Sequence, residues 1–300
     1  MSRTASDLQA SPQAETEAPL RFVTAASLFD GHDAAINIMR RLIQGEGCEV
    51  VHLGHNRAVR DIVDAAVQED ADGIAVSSYQ GGHNEFFRYM VDMLQERGAG
   101  HIRVFGGGGG TITREEINDL HDYGVERIYH PDDGMDMGLK AMIEDLVERT
   151  RKARTERTVP ETADASDPGS VAAMLTALEG GLLGESEIKL KQREWANKGQ
   201  NVPVVGLTGT GGAGKSSVTD ELINRFLQNF PDMKIAVLAV DPTRRRTGGA
   251  LLGDRIRVNS LRSERVFMRS MATRREHLAT SGVLAHCIEF LRGAGYGLVL

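Results

Sequence analysis

Cysteine is nearly missing from this chain: two residues, Cys48 and Cys287, in 300. One pair cannot staple a chain of this length, so a disulfide scaffold is excluded and a reduced, cytoplasmic protein is the expectation. Long apolar runs are missing too. The longest, Ile235–Val240, falls far short of the ~18 residues of a membrane-spanning helix. The opening stretch MSRTASDLQASPQAETEAPL lacks the apolar core of a secretory signal. Basic excess is absent: Lys+Arg 35 against Asp+Glu 42 leaves a net charge of −7, which argues against a nucleic-acid footprint. Neither a membrane nor a nucleic acid is expected as partner. Glycine is in surplus, 34 residues of 300, without a collagen period. The chain also stops inside an apolar, strand-like run, Gly295-Tyr-Gly-Leu-Val-Leu300, with no cap or polar tail. That ending reads as a piece of a longer protein.

Residues 1–20 are rich in Ala, Ser, Glu and Gln and read as a disordered arm. From Arg21 short β-type runs alternate with helical ones. Strands are expected at Arg21–Ala25, Glu49–Leu53, Gly73–Ser77, Ile102–Phe105 and Glu126–Tyr129. Helices are expected at Ala34–Gln44, Ala58–Glu69, Asn84–Arg97, Glu115–Tyr123 and Gly138–Arg149. Five β–α units imply a flavodoxin-like, doubly wound α/β domain over 21–150, with ligands at the carboxyl ends of the strands. Residues 151–168, charged and with two prolines, read as a linker. A helical hairpin, Ser170–Leu183 and Glu185–Asn197, then opens a second α/β domain over 169–300. Its strands are expected at Val202–Leu207 and Lys234–Val240, with a helix from Lys215 to Leu227 between them. A loop-rich stretch to Arg274 follows, then a helix near Val283–Arg292 and the final strand.

Gly209-Thr-Gly-Gly-Ala-Gly214-Lys215-Ser216 satisfies G-x4-G-K-[ST] between an apolar strand and a helix. Glycines let backbone N–H groups turn inward as an anion nest, and the helix N-terminus adds partial positive charge. Lys215 would reach the β- and γ-phosphates and the Ser216 hydroxyl would ligate Mg²⁺. Asp241, at a strand's carboxyl end, suits Mg²⁺ coordination or caps the following turn. Arg244–Arg246 is either a phosphate or partner contact or a solvated loop. The tract from Thr247 through Asp254 to Arg257 combines glycines and charges where a switch segment would lie.

These spaced motifs, VGLTGTGGAGKSS, AVLAVDPTRRRTGGALLGDRIRV and GYGLVL, resemble the MeaB/ArgK-type G-protein chaperones of cobalamin-dependent mutases, from about Met174 to Leu300. The resemblance implies a P-loop GTPase domain, GTP or GDP as nucleotide and Lys215 as the catalytic residue. Gly209, Gly211, Gly212, Ala213, Gly214, Lys215, Ser216 and Ser217 would hold phosphate, with Arg257 reaching in from the switch segment. Ser216, Asp241 and Asp254 would surround the metal. In that family an acidic switch II motif and the guanine-reading motif follow the strand at Tyr296–Leu300, so the domain as given is incomplete.

In the first half, Phe29-Asp30-Gly31-His32-Asp33-Ala34-Ala35 leaves a strand and enters a helix. An Asp two residues before a His can accept from its second ring nitrogen, which fixes the tautomer and raises basicity; an ordinary loop histidine is the alternative. Two more strand ends, Val76-Ser77-Ser78-Tyr79 and Phe105-Gly106-Gly107-Gly108-Gly109-Gly110, offer a hydroxyl and a rim without side chains. Together they resemble the D-x-H-x-x-G, S-x-L and G-G signature of base-off cobalamin-binding domains, with Ala35 in place of Gly and Tyr79 in place of Leu. The resemblance implies that His32 is the lower cobalt ligand, that Asp30 and Gly31 support it, and that Ser77, Tyr79, Gly106 and Gly107 border the nucleotide-tail channel. His52, His55, His83, His101, His121 and His130 have no ligand-like spacing and read as surface or packing residues.

A cobalamin domain followed by a MeaB-like domain in one chain resembles the fused isobutyryl-CoA mutases. That resemblance implies adenosylcobalamin as cofactor, radical interconversion of isobutyryl-CoA and n-butyryl-CoA, a GTP switch gating cofactor loading or repair, and a homodimer. The acyl-CoA substrate would sit in a barrel outside these residues. The alternative is a stand-alone GTP-dependent cobalamin chaperone serving a separate mutase.

Overall fold

The computed structural model of the chain describes residues 18–28, 33–79, 81–154, 158–242, 249–273 and 282–300. Of the expected arm, residues 1–17 lie outside that set. Its last residues do not dangle: Leu20 is buried, its carbonyl accepts from Glu49 N at 2.9 Å, and the Ala18 carbonyl accepts from Arg154.

The first half builds the expected doubly wound α/β alternation. Its strands are β1 (Arg21–Ser27), β2 (Glu49–Arg57), β3 (Gly73–Ser77), β4 (Arg103–Gly107) and β5 (Arg127–Tyr129). Its helices are α1 (Asp33–Gly45), α2 (Val59–Gln68), α3 (His83–Glu96), α4 (Arg114–Tyr123) and α5 (Pro131–Ala153). All pairings are parallel, in the order β5-β4-β3-β1-β2. Central β1 is buried along its whole length, as a strand covered on both faces must be. Alternate residues face opposite layers: Val23, Ile74 and Val104 pack under α2, α3 and α4, whereas Phe22, Ala75 and Phe105 pack under α1 and α5. Helix α5 starts earlier than its periodicity suggests. Pro131 supplies a pre-set first turn, and Gly138, with φ 79°, breaks the helix where the sequence pattern began it.

The second half contains α6 (Pro168–Gly180), α7 (Glu185–Lys198), α8 (Lys215–Asn229), β6 (Ile235–Pro242), β7 (Ala250–Leu252), β8 (Val266–Thr273), α9 (Gly282–Gly293) and β9 (Leu298–Val299). A three-stranded parallel sheet runs β8-β6-β9. The expected strand Val202–Leu207 is reduced to one bridge, Val204 to Val299, because a ladder extends only as far as its neighbour and β9 is two residues long. Strand β8 occupies the stretch read as loops. Its sequence VFMRSMAT hides the strand because it buries a charge: Arg269 is 1% exposed. Residues of the expected linker are packed, since Val159, Ala163 and Ala165 lie on the core of the second half and Ala165 N donates to Ala294 O.

The two halves share secondary structure. Strand β7, from the expected switch tract, adds parallel to β2 and makes the first sheet six-stranded. Below it lies a buried polar hub centred on Glu69, which is fully enclosed. The Glu69 carboxylate accepts from Arg255 Nη1 (3.0 Å), Ser270 N (3.0 Å) and Ser270 Oγ (2.9 Å). Gln68 accepts from Met268 N and Arg255, and Arg269 donates to the Glu69 carbonyl, Thr176 and Glu179. Gly249 permits the approach of β7: a Cβ there would lie 2.2 Å from Gln44 O and 2.8 Å from Cys48 O. Both neighbours are backbone and cannot swing aside. Gly249→Ala is therefore expected to cost on the order of 1–3 kcal/mol. Differential scanning calorimetry should show this as a lowered unfolding midpoint; an unchanged midpoint would refute the docking.

Candidate functional site

Two sites stand at carboxyl ends of strands, where this architecture leaves backbone groups and loops open to ligand. The first is a cavity of about 240 Å³ between α1 and α5, floored by the ends of β3, β4 and β5. Its walls are mostly apolar, with Ile36, Met39, Leu139 and Met142 from the two helices. Ser77 reaches it because it shares the face of Ala75 on β3, and its hydroxyl is buried without a hydrogen-bond partner. An orphaned hydroxyl in an apolar cavity is costly unless a ligand satisfies it. The donor suits the polar groups of a nucleotide tail.

The glycine rim divides by the pleat. A Cβ on Gly106 would meet Phe87 at 2.4 Å and Ile128 at 2.6 Å, so this glycine makes room for packing under α3 and borders the cavity only through its backbone. Gly107 faces the other way. Its Cβ would lie 3.5 Å from Tyr129 O, in ordinary contact, so the missing side chain there leaves space on the cavity side. A Cβ on Gly108 would come within 1.8 Å of Ser78 O, so the β3 and β4 loops touch backbone to backbone. Tyr79 packs over Gly109, whose φ of +58° disfavours a side chain; the large ring uses space that Gly109 vacates.

Asp30, Gly31 and His32 lie outside the described residues. Their flanks, the end of β1 and the start of α1, stand at the carboxyl edge of the sheet. Sequence reasoning missed His130, Pro131 and Gly134, which also line the cavity. The signal was available, because they follow the carboxyl end of β5. Of the other histidines, His52 is buried and bonded to Thr24 Oγ1 at 2.9 Å, and His121 accepts from Ile128 N. His83 is buried, with Nε2 3.3 Å from Glu116. Cys48 and Cys287 are buried free thiols, and burial pushes Cys48 up to about 12, so both are unreactive.

The second site is the loop before α8. Gly209, Gly212 and Gly214 all have positive φ (155°, 81° and 83°), and Gly214 caps the helix, aiming its first N–H groups outward. Gly211, Ala213 and Ser217 are exposed along the same turn. Lys215 Nζ lies over the loop, donating to Gly209 O (2.7 Å) and Thr210 O (3.0 Å). Ser216 Oγ donates to Asp254 Oδ1 at 3.4 Å. Asp241 arrives from the end of β6, accepts from the Gly253 backbone, and keeps Oδ2 buried without a partner. Burial pushes the Asp241 carboxyl up to about 6, and the Asp254 charge adds to the rise. Two carboxylates and a hydroxyl with an unanswered buried oxygen make a donor set that fits a hard divalent cation such as Mg²⁺. Arg257 is exposed, 3.9 Å from Asp254. Arg244–Arg246 lie outside the described residues. No helix among the described residues is long and apolar enough to cross a membrane.

Residues 20–153 match the family described as B12 binding domain, and residues 176–300 match Methylmalonyl Co-A mutase-associated GTPase MeaB. The chain is 53% identical over 292 residues to the fused isobutyryl-CoA mutase of Geobacillus kaustophilus and 53% identical over 285 residues to that of Cupriavidus metallidurans, in both cases over 94% of this chain and 26% of the relative. It is also 30% identical over 112 residues to the 2-hydroxyisobutanoyl-CoA mutase small subunit of Aquincola tertiaricarbonis, over 37% of this chain and 81% of that subunit. The chain thus spans about a quarter of the length of the fused relatives.

Proposed function

Since the chain belongs to the fused isobutyryl-CoA mutase family, as its cobalamin-binding and GTPase-chaperone portion, we propose that it holds adenosylcobalamin base-off and gates that cofactor with GTP and Mg²⁺. The observation that carries this reading is the apolar cavity with its single orphaned hydroxyl, in one chain with a P-loop. His32 would ligate cobalt, with Asp30 accepting from its second nitrogen to fix the tautomer. Ser77 would donate to the nucleotide tail, which the α1 and α5 walls desolvate while Gly107 leaves it room. Lys215 and the N–H groups of the glycine loop would neutralise phosphate, and Ser216, Asp241 and Asp254 would hold the metal. When bound, adenosylcobalamin supplies the radical chemistry of the acyl-CoA rearrangement. Interconversion of isobutyryl-CoA and n-butyryl-CoA, with the substrate bound outside these residues, and a homodimeric assembly complete the proposal.

Visible spectroscopy tests it. Wild-type protein titrated with adenosylcobalamin is expected to show a histidine-ligated, base-off spectrum. His32→Ala should shift the cobalt bands, and an unchanged spectrum with intact binding would remove the ligand assignment.

A further inference from the structure

We infer that Glu69, a residue of the cobalamin domain, is a positioning residue of the GTPase metal site: through Arg255 it holds Asp254 opposite Ser216. The inference rests on the proposed Mg²⁺ site and extends it across the domain boundary.

The segment from Ala250 to Arg257 has two sides. On one it is fastened to the cobalamin domain at three places. Ala250, Leu251 and Leu252 pair with Glu49, Val50 and Val51. Ile256 packs on Gly54, where a Cβ would stand 2.4 Å from its Cδ1 and the φ of +83° already disfavours a side chain. Between these, Arg255 is 6% exposed and spends its guanidinium on Glu69, on Gln68 and on the Met268 carbonyl. On the other side, Asp254 meets the nucleotide domain, at Ser216.

Asp254 directly precedes Arg255 at the start of the short helical turn Arg255–Arg257, its side chain free of any capping bond to that turn. The guanidinium fork is fixed by Glu69, Gln68 and the Met268 carbonyl, and this anchors the backbone from which the adjacent Asp254 reaches Ser216. Glu69 is itself held by Ser270 N and Oγ, so a chain of contacts runs Ser270–Glu69–Arg255, with Asp254 the next residue along the backbone. A buried ion pair contributes little net stability compared with apolar packing. Its value here is geometric, because a planar fork sets direction as well as distance. Partners that orient a metal ligand typically change metal affinity by about 10–100-fold when removed.

The test uses the full-length protein bound to GDP, with Mn²⁺ as probe and its electron paramagnetic resonance signal as readout. Glu69→Gln is expected to weaken Mn²⁺ binding about tenfold while cobalamin binding and metal-free nucleotide binding stay at wild-type levels. Asp254→Asn should weaken it at least as much. Because Glu69 acts through Asp254, the double variant should match Asp254→Asn alone; a purely structural role would make the two losses multiply. Arg255→Lys keeps the buried charge but loses the fork, and should weaken Mn²⁺ binding even if Glu69→Gln does not fold. Wild-type Mn²⁺ affinity in folded Glu69→Gln or in Arg255→Lys, or multiplying losses, would overturn the inference. Wild-type affinity in Asp254→Asn would remove the metal assignment beneath it.

Discussion

Lys215→Ala should abolish GTP binding: calorimetric titration that saturates the wild-type protein is expected to give only dilution heat with the variant. The ammonium is already poised over the phosphate loop by Gly209 O and Thr210 O. When phosphate arrives, those carbonyls are exchanged for a multiply charged partner. One unit-charge pair at 4 Å near a protein surface is worth about 4 kcal/mol, near a thousandfold in Kd. The fold should not suffer, because Lys215 sits in the first turn of α8 and packs no core. An affinity for GTP within a few-fold of wild type would count against the phosphate site altogether.

Two neighbouring glycines should respond in opposite ways. Gly107→Leu is expected to leave the protein folded and eliminate adenosylcobalamin binding, because the new side chain extends into a cavity of only about 240 Å³. Gly106→Ala should do the reverse at first order. Its methyl would sit 2.4 Å from Phe87 Cζ on the far face, overpacking that core by on the order of 1–3 kcal/mol. Spectrophotometric titration and thermal unfolding separate the two. If Gly107→Leu binds cobalamin like wild type, the tail does not use this cavity.

The contrast shows how much was legible. The run of glycines at 106–110 drew attention to the loop after β4, which borders the cavity, but sequence treats its members alike. Which glycine vacates the cavity and which spares Phe87 depends on the face each presents, and that follows from the register of β4 between β3 and β5. The P-loop needed no such context, because its spacing encodes its backbone. Strand β8 escaped notice because Arg269 in its middle looks like a surface charge; it is buried only because Glu179, Thr176 and the Glu69 carbonyl come to meet it. The same holds for Glu69 and Ser270, which bond across 201 positions of chain.

The sequence alone determined the first α/β layout and the glycine loop before α8, since each rests on periodicity or on glycine spacing within one or two dozen residues. Tertiary structure alone decided that the two halves are joined through β7 and the Glu69–Arg255 pair, which anchors the residue next to Asp254. The physical reason is that burying a charge requires partners, and here the partners come from the other end of the chain.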